Sequence, residues 1–307
     1  MQRITVRTLP DGNVRHVQPF HVCIKGLETA VLCRDDQDYD MMVKTICVTA
    51  WRKNVIVIIY AVVSNHSHIA VLAAKQQDAD NFGIELKKIY SMWFSGKYRE
   101  RKILRHVEVK ALCLDNDWYV RNALAYIPRN ALDNGSNVNE YPWSGYNAMF
   151  CTLLPSGRNV CSMTKREIKQ VLHTKEDLSM VKWQVDGSGK LIPFSFCDHT
   201  YLEQAFNNDQ AFFLKTIGGL NAAEMHYAIE EKPYQMLPDA EFIKAAEEVS
   251  QRWFAKNLVD LSLDRKNRLI PYLYRTMKTS IPQLSRVTGL SRDIIARMLT
   301  RSNPGVV

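Results

Sequence analysis

Asn54-Val55-Ile56-Val57-Ile58-Ile59-Tyr60-Ala61-Val62-Val63-Ser64-Asn65-His66-Ser67-His68-Ile69-Ala70-Val71-Leu72 is the stretch whose reading decides the fold. Residues 54–63 are rich in β-branched side chains and almost wholly apolar, which suits a buried strand better than a short helix, because such side chains pack well on a pleated surface. Ser64-Asn65 reads as a turn, and His66 to Leu72 resumes as a strand. Working outward, Gln18 to Ile24 forms a first strand closed by Lys25-Gly26, and Asp36 to Trp51 forms a helix. That helix carries Met42, Ile46 and Ala50 on one face, with acidic residues at its positive N-terminal end. On the other side, Ala79 to Lys97 reads as a helix packed through Phe82, Leu86, Tyr90 and Trp93, and Leu104 to Leu112 supplies a fourth strand. The order β-α-β-β-α-β predicts an α+β domain of the ferredoxin-like, split βαβ kind, in which the strand bearing the histidines is central.

The chain has 307 residues, more than one compact core usually organises, so two or three domains are expected. Lys and Arg number 40 against 32 Asp and Glu, and the net charge of +8 favours a polyanionic partner, nucleic acid or an anionic membrane surface. No apolar run approaches the roughly 18 to 20 residues of a membrane span, and the first residues lack a signal pattern, so a cytoplasmic location is expected. The seven cysteines are scattered and never spaced C-x-x-C, which points to reduced thiols rather than a disulfide framework or a structural zinc site.

Beyond the first domain, Asp117 to about Ile127 is helical, and Asp133-Asn134-Gly135 stops it. Residues 136–160 read as irregular structure anchored by Tyr141, Trp143 and Tyr146, and the chain then becomes mainly helical, interrupted by the turn Asp186-Gly187-Ser188-Gly189. Boundaries near 150 and 260 divide the chain into residues 1–150, a helical middle region 151–260, and a last segment 261–307. In that last segment Asp264 to Met277, Ile281 to Thr288 and Arg292 to Arg301 form a trihelical pattern with a Gly289-Leu290-Ser291 turn. A helix-turn-helix reading puts Ser291, Arg292 and Arg297 at a DNA major groove; a small bundle with a solvated basic face is the other reading.

His66 and His68, two apart on a strand, direct both imidazoles to one face of the sheet, where two neutral rings can clasp a divalent metal. Tyr126 and Asn130 have the four-residue spacing that places a nucleophile and a further ligand on one side of a helix. In such a site the phenolate attacks phosphorus and leaves a covalent phosphotyrosine that stores the bond for rejoining. Spacing alone leaves a second reading open, in which Tyr126 packs in the core and Asn130 caps a turn. Lys87, Lys88, Lys97, Arg99, Arg101, Lys102 and Arg105 crowd one helix and the loop after it, a density of cations that suits the phosphates of single-stranded or hairpin DNA.

Tyr60 to Ile69, with His66-Ser67-His68 in it, resembles the metal-binding strand of the HUH single-tyrosine transposases. Leu124-Ala125-Tyr126-Ile127-Pro128-Arg129-Asn130 resembles the nucleophile segment of that family, and Glu140 to Tyr146 the aromatic stretch that follows it. Phe20-His21-Val22 and Lys25-Gly26 are similar to its first strand. The resemblance covers about residues 10–150 and is nearest to the REP-associated tyrosine transposases. It implies an HUH nuclease domain that cleaves and rejoins single-stranded, hairpin-bearing DNA through a 5′-phosphotyrosine. Tyr126 would be the nucleophile, with His66, His68 and Asn130 holding Mg²⁺ or Mn²⁺; the resemblance leaves a homodimer open. Ser67 stands where the family has a bulky apolar residue, and Ala131 where it usually has proline. Pro128 between nucleophile and ligand deletes a helical hydrogen bond at a cost of about 3 kcal/mol, which predicts a break or kink near Tyr126. Two other classes stay open: a domesticated, non-catalytic DNA-binding regulator, and an RNA-binding module of the same β-α-β-β-α-β order.

Overall fold

Branched apolar residues in alternation with turn signals produce an antiparallel sheet whose centre is the paired strands β2 (Val14–Lys25) and β4 (His66–Ala73). In the computed structural model, which describes residues 3–26, 31–100, 104, 107–133, 135–152, 156–220, 239–277 and 279–301, a short β1 (Thr5–Thr8) pairs with the first part of β2. Its second part pairs with β5 (Glu108–Cys113), and β4 pairs on its other edge with β3 (Ile56–Val62). The four main strands therefore lie in the order β3-β4-β2-β5, all antiparallel. Between them run α1 (Asp36–Arg52) and α2 (Gln76–Tyr98).

The capping of α1 follows from its sequence: the Asp35 carboxylate accepts from the Asp38 N–H at 3.0 Å, satisfying one of the orphan donors of the first turn. The stripe of α2 runs at four-residue spacing through Phe82, Leu86, Tyr90 and Phe94, all buried, so Phe94 takes the core position expected for Trp93, which is half-buried. A fourth strand expected from Leu104 begins at Glu108 instead. Arg101, Lys102, Arg105 and Asn134 lie outside the described residues.

α3 (Asp117–Asp133) lies along β3 and β4 and differs from the expected broken helix, for it continues through Pro128 for a further turn. The physical reason is tertiary. Every residue from Ala123 to Pro128 is buried, and two arginines tie the outer side of the helix to its neighbours. Arg121 Nε donates to the carbonyl of Ala205 at 2.9 Å, at the end of α5 (His199–Ala205). Arg129 Nη1 donates to Ile217 at 2.9 Å, in the last turn of α6 (Gln210–Gly219). Each guanidinium thus meets carbonyls at a helix C-terminus, where cations are favoured. Burial and these anchors outweigh the local cost of one proline.

Residues 141–146, read as irregular from the sequence, cover the outer edge of β3. Val62 N–H donates to Trp143 O at 2.9 Å, Tyr141 Oη donates to Val62 O at 2.6 Å, and Ser144 bridges Ala61. An otherwise open edge is closed in this way. Residues 160–191, including α4 (Lys165–Leu172), share a hydrophobic cluster with Cys47 and Val48 of α1, in which Trp51 meets Trp183 edge to face. The strands β6 (Arg158–Asn159) and β7 (Gln184–Val185) form a small separate pair there.

Contacts divide the chain into Met1–Glu230 and Glu231–Val307. The second unit has its own core, in which Phe242, Ala246 and Val249 of α7 (Asp239–Phe254) pack with Leu269, Ile270 and Leu273 of α8 (Leu263–Thr276). Leu284 of α9 (Ile281–Thr288) and Ile295 and Met298 of α10 (Arg292–Arg301) complete it. Gly289 ends α9 in the left-handed region at φ 71°, where a residue without Cβ is unstrained. Among the described residues no helix is long and apolar enough to cross a membrane.

Candidate active site

The register of the sheet decides which residues share a face. His68 lies opposite Cys23 and His66 opposite Lys25 across the β2–β4 ladder. Residues directly opposite point to the same side, and so do residues two apart, which puts His21, Cys23, Lys25, His66 and His68 on one face. That face is the one α3 covers, since the ring of Tyr126 sits edge-on to His68 with centroids 5.1 Å apart. Ser67, Phe20, Val22 and Ile24 take the opposite face, where α2 packs; a Cβ added at Gly83 of that helix would lie 3.1 Å from a Val22 methyl. Ser67 is fully buried there, in the position of a packing residue.

Asn130 joins the group. Its Nδ2 donates to the carbonyls of Tyr126 at 2.9 Å and Ile127 at 3.2 Å, and these bonds orient the amide so that Oδ1 faces His66 Nε2 at 3.0 Å. The other ring nitrogen of His66, Nδ1, faces the Asn65 side-chain oxygen at 2.7 Å. Both nitrogens of His66 therefore point at acceptor oxygens, yet a neutral imidazole has one N–H. With the proton on Nδ1, the lone pairs of Nε2 and Asn130 Oδ1 converge, an arrangement that a cation between them relieves.

The spacing suits a metal as well. Two ligands about 2.1 Å from an octahedral Mg²⁺ and at right angles to each other stand about 3.0 Å apart, and Nε2 and Oδ1 are 3.0 Å apart. Among the described residues no group of three or more His, Cys, Asp or Glu side chains is arranged to hold a metal ion, so a metal here would need the amide oxygen of Asn130 beside the histidines.

Two residues of this face carried no assigned role in the sequence reading. His21 Nε2 stands 3.0 Å from His68 Nδ1, the two rings stacked with centroids 5.0 Å apart and both residues buried. Lys25 faces His66 directly across the strands and on its other side faces Glu108. The signal that finds them is a shared two-residue period, but only once the pairing register is known.

The site is closed on its helical side. Tyr126 is 3% exposed and Asn130 3%, while His66 is half-buried and marks the approach from outside.

The cationic residues fare differently from one another. Lys97 Nζ lies between Asp35 and Asp38 at 2.6 and 2.7 Å, its charge matched by the acidic start of α1; desolvation lowers its ammonium, but the hydrogen bonds to the two carboxylates outweigh this and hold it above the usual lysine range. Lys87 Nζ donates to Val107 O at 2.5 Å, and Lys88 is exposed near Glu85. Arg99, exposed, ends α2 in the left-handed region at φ 56°. In the second unit Ser291, Arg292 and Arg297 are all exposed, and Arg297 Nε donates back to Asp293 O at 3.2 Å.

No family model matches the chain, and no curated protein matches it. A solved structure of a REP-associated tyrosine transposase bound to a REP hairpin matches at a TM-score of 0.35 and 16% identity, covering 46% of this chain and 85% of that one. A likeness of that size transfers no residue role.

Proposed function

We propose that the first unit is a single-tyrosine DNA strand transferase of the HUH kind, built on a ferredoxin-like sheet, which cleaves and rejoins single-stranded or hairpin DNA. The observation that carries the reading is the meeting of Tyr126, His66, His68 and Asn130 on one sheet face, with His66 Nε2 and Asn130 Oδ1 converging at 3.0 Å. Two strand residues and two helix residues at least 58 positions away along the chain come together there, in the chain order proposed as ligand, ligand, nucleophile and ligand.

In this reading His66, His68 and Asn130 would hold Mg²⁺ or Mn²⁺, which would supply Lewis-acid polarisation of the scissile phosphate. The Tyr126 hydroxyl gives up its proton to solvent and its oxygen attacks phosphorus, the P–O3′ bond breaks, and the 3′ oxygen takes a proton back from solvent and leaves as a hydroxyl. The 5′ phosphate stays on Tyr126 as a phosphotyrosine, and the reverse attack by another 3′ hydroxyl rejoins the strand. Lys25, across from His66, offers a cation to the phosphate. Since Tyr126 is 3% exposed, the phosphate reaches it by way of the half-buried His66 side and by an outward movement of the ring. Lys87, Lys88 and Arg99 favour the backbone of the bound strand, and the C-terminal helices contribute a helix-turn-helix with Ser291, Arg292 and Arg297 at the DNA. A cytoplasmic, nucleoid-associated location follows from such a partner.

The burial of Tyr126 favours a second reading, a non-catalytic DNA-binding regulator on the same sheet. One experiment separates the two. Wild type and Tyr126→Phe are incubated with hairpin-bearing single strands and Mn²⁺, and covalent protein–DNA adduct is followed on denaturing gels. Adduct with wild type and none with Tyr126→Phe supports the transferase. Tight DNA binding without adduct on any such strand leaves the regulator.

A further inference from the structure

We propose that His21 is a positioning residue that sets the tautomer of His68, keeping the proton of His68 on Nδ1 and its Nε2 free of hydrogen; this rests on the metal-site reading above. The observation is the 3.0 Å contact between His68 Nδ1 and His21 Nε2. Two ring nitrogens at that distance share one proton, and it has two places to be. With the proton on His68 Nδ1, His21 Nε2 accepts, and His68 Nε2 carries a lone pair fit to bind a cation. With the proton on His21 Nε2, His68 accepts at Nδ1 and is protonated at Nε2, where it can bind none. The identity of the donor therefore decides whether His68 is a ligand at all.

The rest of the site argues for the first arrangement. His66 has its Nδ1 on the side-chain oxygen of Asn65 at 2.7 Å and its Nε2 toward Asn130. Both histidines thus use Nδ1 for an outer partner, and the pattern in which a ligating imidazole gives its other N–H to a neighbour is general for metal-binding histidine. His21 is rigidly placed for this task. It is buried, it stacks on His68, and β2 and β4 are bonded on both sides of the contact, with His21 opposite Ala70 and Cys23 opposite His68. Alanine at the opposing position leaves room for the ring to lean along the sheet toward His68.

The test uses the full chain with His21→Leu, which removes the acceptor, and His21→Gln, whose Oε1 can stand where Nε2 stood and accept the same hydrogen bond. In metal-free protein, proton–nitrogen correlation spectra of the imidazoles report the tautomer of His68. Wild type and His21→Gln are expected to show the Nδ1–H form, and His21→Leu a shift toward Nε2–H. Free Mn²⁺ followed by electron paramagnetic resonance is expected to show affinity lowered about 10- to 100-fold in His21→Leu, with most of the loss recovered in His21→Gln. A wild-type His68 in the Nε2–H form overturns the proposal, as does His21→Leu binding Mn²⁺ like wild type while His66→Ala loses it. If wild type and His66→Ala bind Mn²⁺ equally, the metal-site reading falls, and the tautomer spectra still decide what His21 does to His68. Should His21→Leu not fold, the wild-type tautomer and the behaviour of His21→Gln decide.

Discussion

Replacing Pro128 by alanine tests whether the proline inside α3 disturbs the site or is merely accommodated. Alanine restores an N–H to the carbonyl of Leu124 and removes the ring that crowds it, a gain of about 3 kcal/mol in an unconstrained helix. Pro128 is buried, however. Losing two ring carbons from a buried place costs about 1.6 kcal/mol at about 0.8 kcal/mol per CH₂, and the freer unfolded chain takes about 0.4–1 kcal/mol more. The difference is a gain of about 0.5–1 kcal/mol, which for a unit of this size raises Tm by about 1–4 °C. Under the proposed strand transfer, adduct formation should change little, because the side chain of Asn130 already bonds the carbonyls of Tyr126 and Ile127, and the Tyr126 ring already meets His68. Thermal melts by circular dichroism and single-turnover adduct formation on a hairpin strand measure the two effects. A tenfold rise in the adduct rate, about 1.4 kcal/mol in the barrier, would refute the reasoning, since the proline would then be holding Tyr126 away from its working position. A fall in Tm of several degrees would refute the packing estimate.

The same substitution at two glycines of α2 should act with opposite sign. At Gly83 an added Cβ would lie 2.5 Å from a Val109 methyl, so alanine overpacks the helix against the sheet and costs about 1–3 kcal/mol against a helix-propensity gain of about 1 kcal/mol, whereas at Gly96 nothing lies within 4 Å and the gain stands alone; urea titrations of both variants that gave equal midpoints would contradict the close packing. Removal of residues 231–307 should leave Met1–Glu230 folded, whereas a cut after 260 strips α7 of its core partners Leu269, Leu273 and Leu284; equal protease resistance of the two truncations would argue against the shared core. Burial pushes the Cys33 thiol up to about 12 from an ordinary 9.0. The unfolded chain therefore loses this proton first, so the contribution of Cys33 to stability is complete below pH 9.0 and falls away toward about 12. Comparing the alkaline fall in stability of wild type and Cys33→Ala checks it, and identical curves would remove Cys33 from the account. Disulfide reagents at neutral pH should modify exposed Cys161 at once and leave buried Cys33, Cys47 and Cys197 until unfolding; simultaneous labelling would be incompatible with that burial.

The hairpin centred on Ser64-Asn65, the helices on either side of it and the trihelical C-terminus were legible in the chain, because period and branching are local properties that a strand or a helix expresses wherever it packs. So was the pairing of His66 with His68, since alternation along one strand fixes a shared side. What the chain could not state is which side that is and what else stands on it. The contact of His21 with His68 depends on the register of β2 against β4, and a one-residue slip would turn every one of these side chains to the other face. The continuity of α3 is of the same kind. Locally Pro128 is a helix breaker, and only the burial of its neighbours and the anchoring of Arg121 and Arg129 on α5 and α6 outweigh it. The positive charge of Lys97, counted from the sequence with its basic neighbours, is matched in the fold by Asp35 and Asp38 across more than fifty residues of chain. Sequence fixes the local preferences of each segment; long-range pairing decides which of them prevail, because burial and register energies sum over many residues while a single proline or a single charge weighs only once.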